Sequence, residues 1–230
     1  MKKVTLLLLI FLSGAFIFAQ NVQSIQDIVG ADGSDRAVTD LDCPGASLYS
    51  QTPDGVTAYT APGGIIFDDI IDAPAGYVEN FTFWMAATAS YNPLTVDIIF
   101  KHDNGNGIPG TTFKEYLSVS ITEVNTGETI FGYPVLEYTY VLPAKIVVTA
   151  GDWVGIHVSN NDAPPHHYWL TSSDGNGSSI VTPNEEIIDV DLSFCLGGTT
   201  PPVPISNWAI LLGVLLIGTF IVVRYRRTLA

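Results

Sequence analysis

Between about Gly64 and Phe194 the chain alternates apolar and polar residues. Leu94, Val96, Ile98 and Phe100 interleave with Thr95, Asp97 and Lys101, and Leu117, Val119 and Ile121 with serines and Thr122. Leu136, Tyr138, Tyr140 and Leu142 face away from Glu137, Thr139 and Val141, and Val154, Ile156 and Val158 alternate with Gly155 and His157. Ile188, Val190, Leu192 and Phe194 alternate with Asp189, Asp191 and Ser193. A period of two sends one set of side chains into a core and the other into water. Further short apolar runs at 65–70, 77–87, 145–149 and 167–172 are separated by Gly, Pro, Asn and Asp, the residues that turn chains. No sustained apolar stripe of helical period occurs between them.

This pattern predicts an all-β fold, a two-sheet antiparallel sandwich over residues 61–198. A jelly roll is the first choice of topology and an immunoglobulin-like winding the alternative. Residues 20–60 are polar and weakly periodic, and predict an acidic lead-in arm with at most one short strand. Residues 199–204 read as a Pro/Thr linker.

The two ends have a different character. Lys2 and Lys3 precede an apolar run from Val4 to Leu12 that Ser13, Gly14 and Ala15 interrupt, and residues 1–19 read as a secretory signal peptide. Trp208 to Val223 holds no charge; counted from Ile205, residues 205–223 approach the ~20 needed to span a bilayer as a helix. Arg224, Arg226 and Arg227 then form a basic tail over 224–230, which the positive-inside rule assigns to the cytoplasm. The reading is an exported protein with its β-domain outside, tethered to the membrane by its C-terminal helix.

That tail resembles the tripartite C-terminal sorting signals handled by exosortase-type transpeptidases, in the variety named for its Ile-Pro-Thr-Leu start. Val203, Pro204, Ser206 and Trp208 match the pattern with a spacing one residue shorter, and Arg224, Arg226 and Arg227 complete it. The resemblance implies a sorting transpeptidase as partner, removal of the tail and transfer of the domain to the cell surface. A second likeness spans about residues 60–195. Phe81-Thr82-Phe83-Trp84, the Asn-Gly-rich hairpin and Ala150-Gly151-Asp152-Trp153 are similar in order to jelly-roll modules of bacterial surface proteins.

Charge narrows the partners. Residues 21–203 hold all 23 acidic residues but only Arg36, Lys101, Lys114 and Lys145, a net charge of −19. Such a surface repels nucleic acid, which is excluded as a partner, and favours solubility and divalent cations. Cys43 and Cys195 are the only cysteines and bracket the predicted strands. In an exported protein they are expected to pair, tying the first segment to the last.

Three constellations could carry chemistry. In Lys101-His102-Asp103-Asn104-Gly105-Asn106-Gly107 the side chains of Asp103, Asn104 and Asn106 could wrap oxygen ligands around calcium, the one cofactor the sequence suggests. Lys114 stands where an EF-hand needs its bidentate acid, and an ordinary Asn-Gly turn is the other reading. Trp153, Tyr168 and Trp169 could form an exposed platform for a surface polysaccharide, or be core residues. Glu185-Glu186 is the first carboxylate pair to suspect in a glycoside hydrolase, though adjacent strand residues face apart. No nucleophile elbow, zinc-protease helix or phosphate loop occurs, so no catalytic residue is assigned. The expected function is non-catalytic: an adhesin-like or matrix component, with carbohydrate as the candidate ligand. A purely structural envelope protein and a hydrolase with a divergent carboxylate site are the alternatives.

Overall fold

The computed structural model describes residues 23–24, 41–61, 63–88, 93–159, 167–200, 215–218 and 220. The protein divides into two compact units, Met1–Thr200 and Pro201–Ala230. The described residues of the first unit are all-β. Its strands are β1 (Gln23–Ser24), β2 (Ser47–Gln51), β3 (Pro53–Thr60), β4 (Ile65–Asp69), β5 (Gly76–Ala87), β6 (Leu94–Asp103), β7 (Pro109–Ile121) and β8 (Glu123–Ile130). They continue with β9 (Tyr133–Val148), β10 (Trp153–Val158), β11 (His167–Ser172), β12 (Ser179–Thr182), β13 (Glu186–Ile188), β14 (Asp191–Leu192) and β15 (Phe194–Thr199).

These strands form two antiparallel sheets, as the alternation predicts. The first has the order β1-β3-β11-β5-β15-β2; in addition β9 pairs with β5, β8 with β9, and β14 with β11. The second has the order β13-β12-β4-β10-β6-β7. The main core lies between them. Phe81, Phe83 and Met85 of β5 meet Ile98 and Phe100 of β6, Val154 and Ile156 of β10, and Trp169, all buried. At about 25 cal/mol per Å² of apolar area, this layer supplies most of the driving force for folding.

Alternation does not capture everything, because both sheets are also covered on their outer faces. On the first, Trp84, Ala86, Tyr168, Leu170 and Cys195 form a second buried cluster, with Leu41 and Cys43 packed against it. On the second, Phe67, Ile99, Trp153 and Ile180 form a third, beneath Ile65 and Ile108. A strand buried on both faces loses its period-two signature.

The stretch 20–60 requires correction. Rather than an arm with at most a short strand, it contributes β1, β2 and the eight-residue β3. Gln51, Thr57 and Thr60 are buried there although polar, so a search for apolar alternation passes over them. A disulfide joins Cys43 to Cys195 with Cα atoms 5.7 Å apart, as expected, and fixes the residues before β2 against the outer face of the first sheet. In the second unit, Leu215–Gly218 and Phe220 are helical. No helix among the described residues is long and apolar enough to cross a membrane. The signal peptide, most of residues 205–223 and the sorting residues Val203, Pro204, Ser206, Trp208, Arg224, Arg226 and Arg227 lie outside the described residues.

Candidate functional site

The chemistry of the sandwich concentrates at one end. Asp68 and Asp69 close β4 and Asp191 opens β14, and one carboxylate oxygen from each lies within 4.8 Å of the others. Asp68 is fully buried and Asp191 is 4% exposed. Asp68 spans the two sheets: its Oδ2 accepts from the backbone nitrogen of Leu192 at 2.6 Å, and its Oδ1 from that of Asp69 at 3.0 Å. The buried Gln51 amide, oriented with its oxygen toward the Tyr49 hydroxyl (2.8 Å), donates to Asp68 Oδ2 (2.8 Å) and to the Leu192 carbonyl (2.6 Å).

Asp191 organises a loop. Its Oδ1 accepts from the backbone nitrogens of Asn176 (3.0 Å) and Ser178 (3.4 Å), and its Oδ2 from that of Gly177 (2.7 Å). Gly175 lies so close over this carboxylate that a Cβ there would overlap it. Asp69 Oδ2 accepts from the Asn176 side-chain amide at 2.9 Å, while its Oδ1 is buried without a hydrogen-bond partner.

Desolvation dominates the electrostatics. Burial pushes the Asp68 carboxyl well above the usual carboxylate range, with Asp191 and Asp69 adding to the shift and the Leu192 amide opposing it. Burial likewise pushes Asp69 up to about 6. No lysine among the described residues offsets this charge. Lys101 lies over the Phe67 ring, Lys114 over Tyr116, and Lys145 pairs with Glu79. The three aspartates could hold a divalent cation through Asp69 Oδ1, the one uncommitted oxygen. Their other oxygens mostly serve the backbone, which is the geometry of a structural clasp. A cavity of about 350 Å³ lies alongside, lined by Leu48, Tyr49, Ile71, Asp72, Ala73, Pro74, Asp174, Gly175 and Asn176.

The residues expected to bind ligands fall elsewhere. Trp153, Tyr168 and Trp169 do not form a platform: they are 1%, 0% and 1% exposed. They also belong to three separate clusters. Trp169 is in the inter-sheet core, its indole donating to the Ser193 carbonyl at 2.7 Å, Tyr168 is beneath Cys43, and Trp153 is beneath Ile108. Adjacent residues on a strand point to opposite faces, so Tyr168 and Trp169 could never have shared a surface.

In the Asn-Gly loop, Asp103 Oδ2 accepts from Gly105 N (2.8 Å), Asp103 Oδ1 from Ile108 N (3.0 Å), and Asn104 Oδ1 from Asn106 N (2.8 Å). These bonds close a turn that sets Ile108 over Phe67 and Trp153. Beside it, His102 Nδ1 lies 2.8 Å from the buried Asp152 and its ring stacks on Phe113. Glu185 and Glu186 are exposed.

Sequence reasoning missed the Asp68–Asp191 clasp. Alternation assigns Asp191 to the water face of its strand, and nothing marks Asp68 apart from its neighbours. The one signal present was two aspartates closing an apolar run, Ile65-Ile66-Phe67-Asp68-Asp69. No protein-family model, curated protein or solved structure matches this sequence.

Proposed function

We propose that this is an exported, surface-anchored, non-catalytic protein: a matrix or adhesin-like component whose working part is the sandwich itself. The observation that carries this reading is the Cys43–Cys195 bond, which joins residues 152 positions apart and belongs to an oxidising, extracytoplasmic setting. The winding is consistent with a jelly roll. The neighbours β3-β11-β5-β9 face β4-β10-β6-β7, which is the alternation of strands between sheets that rolling a long hairpin produces.

Two further features favour a structural component over a sugar binder or hydrolase. The described tryptophans, Trp84, Trp153 and Trp169, are buried and so do not form a row on which a polysaccharide could stack. The converging acids have most of their oxygens committed to backbone amides, so they do not present a free carboxylate pair to a cleft. In this reading the membrane helix and a sorting transpeptidase deliver the domain to the surface.

Intact mass spectrometry of membrane and surface fractions, with and without reductant, tests it. The expected species lacks residues 1–19, carries the disulfide, and either retains Arg226 and Arg227 or ends near Pro204. A cut near Pro204 supports sorting, and retention of the arginines indicates a plain single-pass anchor. A reduced, full-length protein in the cytoplasm would overturn the proposal.

A further inference from the structure

Three Asn-Gly pairs lie among the described residues: Asn104-Gly105, Asn106-Gly107 and Asn176-Gly177. In such a pair the glycine's backbone nitrogen can attack the carbonyl carbon of the asparagine amide, since no Cβ on the glycine obstructs the approach. A new carbon–nitrogen bond closes a cyclic imide, the amide's own carbon–nitrogen bond breaks, and ammonia leaves with the proton from the attacking nitrogen. Water then opens the imide to aspartate or isoaspartate. No enzyme, oxidant or cofactor is required.

The three pairs differ in what holds the attacking nitrogen. Gly105 N donates to Asp103 Oδ2 at 2.8 Å, and Gly177 N donates to Asp191 Oδ2 at 2.7 Å. Each is a charge-assisted bond that fixes the nitrogen and disfavours loss of its proton. Asn176 is restrained a second time, because its side-chain amide donates to Asp69 Oδ2 at 2.9 Å. All three asparagines are exposed, so access to water does not distinguish them. Gly107 N has no hydrogen bond among the described residues, and the Asn106 side chain has none either.

We propose that Asn106 is a self-modification site, deamidating in the folded protein while carboxylates hold the other two Asn-Gly pairs unreactive. The product adds a negative charge beside Asp103. In the isoaspartyl form it also lengthens the backbone between the Asn104–Asn106 hydrogen bond and Ile108, the residue that covers Phe67 and Trp153. Age would thus be written into the loop that closes the outer face of the second sheet.

The test is to incubate the folded full-length protein at mildly alkaline pH and locate the products by fragment-ion mass spectrometry. Asn106 is expected to convert at least roughly tenfold faster than Asn104 or Asn176, the rate factor that one charge-assisted hydrogen bond carries. In denaturant, where those bonds are lost, the three rates should converge. In the variant Asp103→Ala, Asn104 should accelerate toward the rate of Asn106. Equal rates in the folded wild-type protein, or Asn104 or Asn176 reacting first, would overturn the proposal.

Discussion

The Leu192 backbone nitrogen donates to the Asp68 carboxylate at 2.6 Å, and this bond joins the two sheets through their common core. Asp68 belongs to β4 of one sheet, Leu192 to β14 of the other, and Gln51 on β2 adds a second donor to the same oxygen. Removing the carboxyl strands two buried donors, each costing about 1–3 kcal/mol. Asp68→Ala is therefore expected to destabilise the domain by roughly 2–6 kcal/mol. Asp68→Asn, which keeps an acceptor oxygen in a site that already disfavours charge, should cost less than half as much. Urea unfolding of the two variants checks the order.

The same burial sets an unusual pH dependence. Asp69 ionises near its ordinary value of 3.8 when unfolded but at about 6 when folded. Between these values the native state holds the extra proton, so stability falls as pH rises through that window and levels off above it. Asp68 contributes with the same sign. The expected outcome is a domain more stable near pH 4 than near pH 7 as far as these groups decide it. Asp69→Asn should flatten that part of the stability curve. An unchanged slope in the variant would place the raised ionisation elsewhere.

The disulfide acts as a latch as well as a staple. Cys195 is buried, Cys43 is half-buried, and Pro44 to Ser47 is exposed, with Gly45 at a φ of +74° serving as the pivot into β2. Replacing both cysteines by alanine is expected to cost about 2–4 kcal/mol. The loss should be local as well as global. Hydrogen exchange should rise first at residues 41–46 and at Trp84, the large side chain of the cluster they cover.

Gly155 shows how closely the outer cluster on the second sheet is built. It lies midway along β10, where the Phe67 ring rests against the backbone and a Cβ would overlap the ring. Gly155→Ala should destabilise by about 1–3 kcal/mol through displacement of Phe67, although alanine suits a strand better than glycine does. A neutral result would mean that Phe67 can move aside, and that the cluster with Trp153 and Ile180 is loosely packed.

How much of this was legible in the sequence depended on whether a residue's burial followed its polarity. The inward sets Leu94-Val96-Ile98-Phe100 and Val154-Ile156-Val158 are buried as their alternation predicts, and the two cysteines pair. β3 was hidden because its buried positions include Thr57 and Thr60, polar side chains that a hydropathy pattern assigns to water. The acid clasp was hidden for the same reason. The Leu192 amide that Asp68 engages lies 124 residues along the sequence, and it arrives only once both sheets are formed.

Register is the other thing alternation cannot see, and β7 provides the test. The pattern places Leu117 with Val119 and Ile121 on the inner face, yet Leu117 is 58% exposed and Tyr116 is 8% exposed. Pairing with β6 runs Val96 to Val119 and then Ile98 to Tyr116, so two residues bulge opposite Asp97. Asp97 holds the bulge, its Oδ1 accepting from Ser118 N at 2.7 Å while Ser118 adopts a φ of +52°. A bulge reverses which face the following residues occupy. Leu117→Ser should therefore change stability by no more than about 0.5 kcal/mol, the usual effect at an open surface position. Tyr116→Ala should cost about 3 kcal/mol or more, since it empties a buried aromatic site against Tyr140. If the two costs were reversed in urea unfolding, β7 would pair in the unbroken register that its sequence alone predicts.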